Sequence, residues 1–251
     1  MPVTIKSIKG YYFLDAWVMA HIIQLSTQHY VNTYLNLKND PCGRMYDQMT
    51  MAARSVTANI SEGASRHQTS RETEMRLTDV ARASLSELLG DFFHISMRTG
   101  TQPWSKHSEP FRRFAAIQLD RPAYTDDWDR EAWLHIMRQK KKYDPWTENP
   151  DHAVCLNAMM ALINRLISIL QKMLEAQLDA FKVEGGFSEN MTHERSEALK
   201  AQAVREKAPS CPHCGKPMLR RMAKRGQNSG HYFWSCSDYP DCHGTRNYKE
   251  E

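Results

Sequence analysis

The sequence predicts an all-α body followed by a small C-terminal module closed by four cysteines. Three observations carry this. Four stretches between Phe13 and Phe181 repeat apolar residues every three or four positions, the period of an amphipathic helix packed on a core. That periodicity stops at Gly185-Gly186 and gives way to a charged segment. Beyond it Cys211, Cys214, Cys236 and Cys242 form one Cys-x-x-Cys pair and a later second pair across a loop and hairpin.

At 251 residues the chain has room for one medium domain and an appendage. Its net charge of +4 is modest, so the distribution of charge carries more than the total. Between Pro209 and Trp234 stand Lys216, Arg220, Arg221, Lys224 and Arg225, with no Asp or Glu among them. Asp15 and His21 break the only apolar run near the N-terminus, so no signal peptide is expected and the chain reads as cytoplasmic. The most apolar stretch, Ala153 to Leu170, contains Asn157, Asn164 and Arg165, which suits a core helix better than lipid.

Residues 1–10 are short and polar and are expected to be poorly fixed unless Tyr11 and Tyr12 dock them. From Phe13 the stripe Leu14, Val18, Ile22 and Leu25 predicts a first helix, ended before the turn Asn39-Asp40-Pro41-Cys42-Gly43. Met45, Met49, Ala52, Val56 and Ile60 predict a second. Gly63 is read as its stop, with Asn59 and Glu62 satisfying backbone groups at the turn that follows. A third helix begins near Ser70, capped by Thr69 or Ser70, with Leu77, Ala81, Leu85, Leu88, Phe92 and Ile95 along one face. Across so short a loop the second and third helices pack antiparallel. Glu87 and Arg54 are candidates for a buried pair that fixes their register.

The run Ala53 to Gly63, then Arg66, Ser70 and Glu72, then Ser84-Leu85-Ser86-Glu87-Leu88, resembles the bacterial four-helix bundle family that includes proteins encoded in ribosomal-RNA intervening sequences and the accessory variability determinants of diversity-generating retroelements. The resemblance covers Phe13 to Ile95 directly and Ala153 to Phe181 by pattern. It implies an up-down four-helix bundle that self-associates into a ring, typically a pentamer, with a basic face for nucleic acid. Ser61 stands where the family usually has Ala, and the insert between Gly100 and Pro150 has no counterpart.

That insert carries Trp104, Trp128, Trp133 and Trp146, an acidic group at Asp126, Asp127 and Asp129, and the run Arg138-Gln139-Lys140-Lys141-Lys142. Two short helices are expected, over about Pro110 to Ile117 and from near Thr125. The acidic group reads as helix capping rather than as a nuclease site, because no second carboxylate cluster or catalytic His accompanies it. The fourth core helix, about Asp151 to Phe181, carries two adjoining seams. A stripe that wide predicts burial of one seam against another subunit. Cys42 and Cys155 read as packing residues.

The domain reading is therefore a bundle over 11–183 with its insert at about 100–150, a charged and helix-compatible linker over 184–208, and a terminal module over 209–251. In that module four thiolates at Cys211, Cys214, Cys236 and Cys242 can surround one structural Zn²⁺ tetrahedrally, with Zn–S near ~2.3 Å. Disulfides are the alternative, which a reducing compartment disfavours. Gly215 supplies the positive φ that the first cysteine turn needs.

The same segment, Cys-Pro-His-Cys-Gly-Lys-Pro-Met-Leu-Arg-Arg with Gly230 to Cys242 after it, closely resembles the C-terminal zinc finger of bacterial type IA DNA topoisomerases. That resemblance implies a zinc ribbon that binds DNA, mainly single-stranded, without cleaving it. The residues themselves agree. Tyr232, Trp234 and Tyr239 offer flat faces for bases, Arg220, Arg221, Lys224 and Arg225 offer charge for phosphates, and Phe233, helped by Trp234, fills the ribbon's core. Seven Lys or Arg stand against four acids from Pro209 onward, and Zn²⁺ with four thiolates adds −2, so one copy is nearly neutral and repetition in an oligomer has to raise its affinity. The functional expectation is a non-enzymatic, homo-oligomeric accessory protein that contacts DNA or RNA, beside a reverse transcriptase and away from membranes. The alternative is a scaffold whose ribbon binds a protein.

Overall fold

The computed structural model describes residues 10–67, 69–205 and 208–248. The reading of the first ten residues falls almost wholly outside them. Among the described residues the chain is mostly helical with one small C-terminal sheet, and it divides between Gly186 and Phe187 into two compact units.

The larger unit opens with a 3₁₀ turn at Gly10–Phe13 and continues through α1 (Asp15–Tyr34), α2 (Arg44–Arg66), α3 (Arg71–Thr99), α4 (Glu109–Ala115), α5 (Trp128–Thr147) and α6 (His152–Glu184). Helix α1 packs on α2 and α6, and α3 packs on the same two, so four helices enclose one core. Tyr30, Met49, Val56, Leu85, Leu88, Phe92, Leu156, Met159 and Ile163 fill it, all fully buried. Ser70 caps α3 as its position suggested, its side chain accepting from the Thr73 amide.

Gly63 is not a helix stop. Helix α2 runs three residues past it, to Arg66, and α3 begins at Arg71. Gly63 is buried against α3: a Cβ there would lie 3.2 Å from Leu77 Cβ and 3.3 Å from the Glu74 carbonyl oxygen. Asn59 and Glu62 do not serve a turn either. The Asn59 amide donates back to the Ser55 carbonyl one helical turn earlier, and Glu62 is exposed on the helix. Arg54 and Glu87 are both exposed, so they form no buried pair. Cys155 is buried and its thiol donates to the Thr147 carbonyl, whereas Cys42 lies in an exposed turn rather than in the core.

Helices α4 and α5 of the insert pack on α6. Of its second seam Met160, Ile163 and Leu170 are buried, and Ile167 and Leu174 are half-buried. The polar interruptions are the anchors. Asn157 accepts from the Trp104 amide at 2.6 Å and donates to the Gln102 carbonyl at 3.2 Å, and Arg165 donates to the Ile117 carbonyl and the Tyr143 hydroxyl. Trp104, Phe114 and Trp146 meet one another at ring separations of 5.7–6.2 Å over this junction. Helix α6 is long and apolar enough to cross a membrane by length and composition alone, yet 56% of that window is buried inside the protein.

The charged groups of the insert are used structurally. Asp127 caps α5 by accepting from the Arg130 amide, and Asp129 accepts from the Tyr12 hydroxyl. In the basic run, Lys140 is buried and held by Asp144 and Glu148, and Lys142 pairs with Asp120 at 2.8 Å. Arg138 and Lys141 of the same run are exposed.

The smaller unit contains α7 (Phe187–Arg205) and strands β1 (Met218–Met222), β2 (Tyr232–Cys236) and β3 (Thr245–Asn247). The strands form an antiparallel sheet in the order β1-β2-β3, with Met218 opposite Cys236, Arg220 opposite Trp234 and Trp234 opposite Arg246. Helix α7 occupies the charged segment and packs on β1.

Candidate functional site

The cysteine site is built by a turn and a hairpin. At Cys211–Gly215 the chain reverses, the Gly215 amide donating to the Cys211 carbonyl at 3.0 Å, and Gly215 adopts φ 75° as its position required. Strand β2 delivers Cys236, and the loop after it delivers Cys242.

The four Sγ atoms lie within 4.8 Å of one another, with Cys211–Cys242 at 3.7 Å and Cys214–Cys236 at 3.4 Å. A tetrahedral ZnS₄ centre with ~2.3 Å bonds requires sulfurs about 3.8 Å apart, so the donor set fits. Amides aim at the sulfurs: His213 at Cys211 and Asp238 at Cys236, both at 3.4 Å. Such N–H groups orient thiolate ligands and offset their charge.

Four thiols this close cannot all ionise unaided. Burial acts against the Cys211 thiolate, but the Cys214 and His213 amides and the neighbouring thiols hold that thiol down at about 6. At Cys236 the Asp238 amide pulls downward, yet burial and the other three cysteines push the thiol up to about 12. A divalent cation supplies the missing positive charge and lets all four deprotonate. These four cysteines are the site of one structural Zn²⁺.

Gly244 belongs to the same centre and gave no sequence signal. A Cβ on it would stand 2.2 Å from the Cys211 Sγ, while its carbonyl accepts from the Cys236 amide at 2.9 Å. Only a residue without a side chain fits between that sulfur and the sheet.

The predicted contact residues divide between the two sides of the sheet. The strand register puts Arg220, Tyr232 and Trp234 on the side that carries Met218 and Cys236. Arg246 joins them opposite Trp234, and Tyr248 packs at 5.5 Å from the Trp234 ring and 6.1 Å from the Tyr232 ring. The Arg220 guanidinium lies 5.1 Å from the Tyr232 ring centre and 5.5 Å from that of Tyr248, and donates to the Tyr248 hydroxyl at 3.2 Å. Cation–π contact of this kind fixes the guanidinium over the two rings. Tyr248 and Arg246 escape a reading of the sequence because only the pairing of β3 places them here.

Arg221, Phe233 and Tyr239 lie on the other side. Arg221 sits 5.8 Å from the Tyr239 ring centre. Lys224 and Arg225 follow β1 in an exposed loop. Phe233 therefore does not fill the ribbon core. That place goes to Trp234, packed against buried Cys211, Met218 and Cys236. Lys216 is withdrawn from the basic surface, since Asp238 binds it at 2.7 Å and its carboxylate holds the ammonium above the ordinary lysine range.

A family model described as topoisomerase DNA binding C4 zinc finger matches residues 208–251. No match was found among curated proteins or among solved structures. In its last 44 residues, then, the chain is similar to the C4 zinc ribbon of DNA topoisomerases, a module that points to nucleic-acid binding.

Proposed function

We propose that this protein binds nucleic acid through the aromatic and basic face of its zinc ribbon and performs no chemistry of its own. The observation that carries the reading is the cluster on that face: Tyr232, Trp234 and Tyr248 together, with Arg220 and Arg246 among them. Rings of this size accept unpaired bases of any identity and the guanidinium groups meet phosphates, which favours single strands of DNA or RNA over duplex. Asp127 caps α5 and Asp129 accepts from the Tyr12 hydroxyl, which supports a non-enzymatic role for these two acids.

We further read the helices over 11–183 as an up-down four-helix bundle, 184–208 as its charged connection, and 209–251 as the ribbon. In this reading the protein is cytoplasmic and homo-oligomeric, and the oligomer multiplies a tip whose single-copy affinity is low. The likeness to the bundle family that includes retroelement accessory proteins supports the oligomer, with a pentameric ring as its form and a reverse transcriptase as its neighbour. The rival reading gives the ribbon a protein partner.

Fluorescence anisotropy of a labelled oligothymidine decides between them. Tyr232→Ala and Arg220→Ala, both at exposed positions, should each weaken binding, Tyr232→Ala by roughly 1–3 kcal/mol if one base stacks there. Binding must also fall steeply with added salt. An oligonucleotide affinity that neither substitution changes would remove the assignment of this face.

A further inference from the structure

The opposite side of the sheet is not idle. Between it and α7 runs a groove of about 990 Å³, lined by Arg195 of α7, by Arg221 of β1, by Lys224 and Arg225 of the following loop, and by Tyr239 and His243. No Asp or Glu is among its lining residues. Arg195, Arg221, Lys224 and Arg225 have no ion pair among the described residues. Arg195 lies outside the segment that matches the zinc-finger family, so the groove is a feature of this chain's own helix laid against the ribbon.

The cations are spread over three elements of the groove wall. They follow one another from the helix, across β1 and into the loop, as an extended polyanion requires and a single small anion does not. β1 is an edge strand. Its adjacent residues Arg220 and Arg221 lie on opposite sides of the sheet, by the alternation of the strand. A flexible strand that stacks bases on the Tyr232 side can therefore cross the β1 edge and meet charge again on the other side.

We propose that the groove between α7 and the sheet holds the phosphodiester backbone of the same single-stranded nucleic acid whose bases stack on the Tyr232 side. The inference rests on the nucleic-acid reading above and extends its footprint to Arg195. An acidic peptide would satisfy the charges as well, but it would leave unused the stacking face that adjoins the groove across one strand.

The test uses the full-length, zinc-loaded chain and a labelled oligothymidine, titrated at several salt concentrations. Arg195→Ala and the double variant Lys224→Ala/Arg225→Ala should bind more weakly at low salt, with the log–log salt slope shallower by about 0.7 for each phosphate no longer neutralised. Arg195→Glu should weaken binding further than Arg195→Ala. Zinc content and helical circular dichroism serve as controls for folding. If both groove variants keep the wild-type affinity and slope while Tyr232→Ala still weakens binding, the groove assignment fails and the stacking face stands. If the wild-type chain binds no oligonucleotide, both fail. Tighter, Arg195-dependent binding of a polyglutamate peptide in place of the oligonucleotide would also overturn the proposal.

Discussion

Gly244 carries no ligand atom, yet it sets the geometry of the metal centre. With a Cβ 2.2 Å from the Cys211 sulfur, Gly244→Ala has to push a ligand out of place, and zinc affinity should fall by about tenfold or more, on the scale of changes beside metal ligands. Competition with a chromophoric chelator measures this, and an unchanged affinity would contradict it. His21 gives a second prediction, in the helical unit. Burial lowers its pKa to about 4, and its ring sits edge-on to Trp17 at 4.5 Å. Between pH 6.5 and 4 the unfolded chain takes up a proton that the folded one refuses. Stability should therefore drop by roughly 3 kcal/mol as pH falls through that window and then level off. Urea unfolding of wild type and His21→Asn at pH 7 and pH 4.5 checks it: the variant should lose less on acidification. At this scale the four cysteines are legible because ligand chemistry imposes a spacing that no packing rule mimics. Gly244 and Tyr248 are not, because their importance lies in a three-dimensional approach that one sequence does not encode locally.

Among the elements, α1, α2, α3 and α6 are readable from the period of their apolar residues, since each lays one stripe on a common core. The errors fall where two elements meet. Gly63 looks like punctuation and is a contact, buried against Leu77 and the backbone of α3. Gly63→Val should cost about 1–3 kcal/mol by overpacking that crossing, measured as a lower urea midpoint with an unchanged slope. A neutral substitution would mean that the helices can separate there without loss. Helix α5 is 20 residues long where a short helix is expected. Its charged run and Pro145 hide it, because Lys140 is buried with carboxylate partners instead of being solvated. Of the second seam of α6, Met160, Ile163 and Leu170 are buried within this chain, while Ile167 and Leu174 stay half-buried. In the ribbon the core place expected for Phe233 with help from Trp234 goes to Trp234, because the strand register puts Phe233 on the other side of the sheet from Met218 and Cys236.

At the scale of the whole molecule, two units with unlike sources of stability share one chain. The helical unit rests on a continuous apolar core. The ribbon's core cluster among the described residues is Cys211, Met218 and Cys236, two of them metal ligands, and so small a core depends on its metal to fold. The claim that binds these parts together is that the zinc-held sheet makes the nucleic-acid contact and the helical unit does not. Removing zinc with a strong chelator, and then titrating the same protein with labelled oligothymidine, tests it most directly. The account predicts that binding is lost while most of the helical circular dichroism and the main thermal transition persist, and that added zinc restores binding. Undiminished binding by the zinc-free, still helical protein would place the contact elsewhere in the chain and contradict the account.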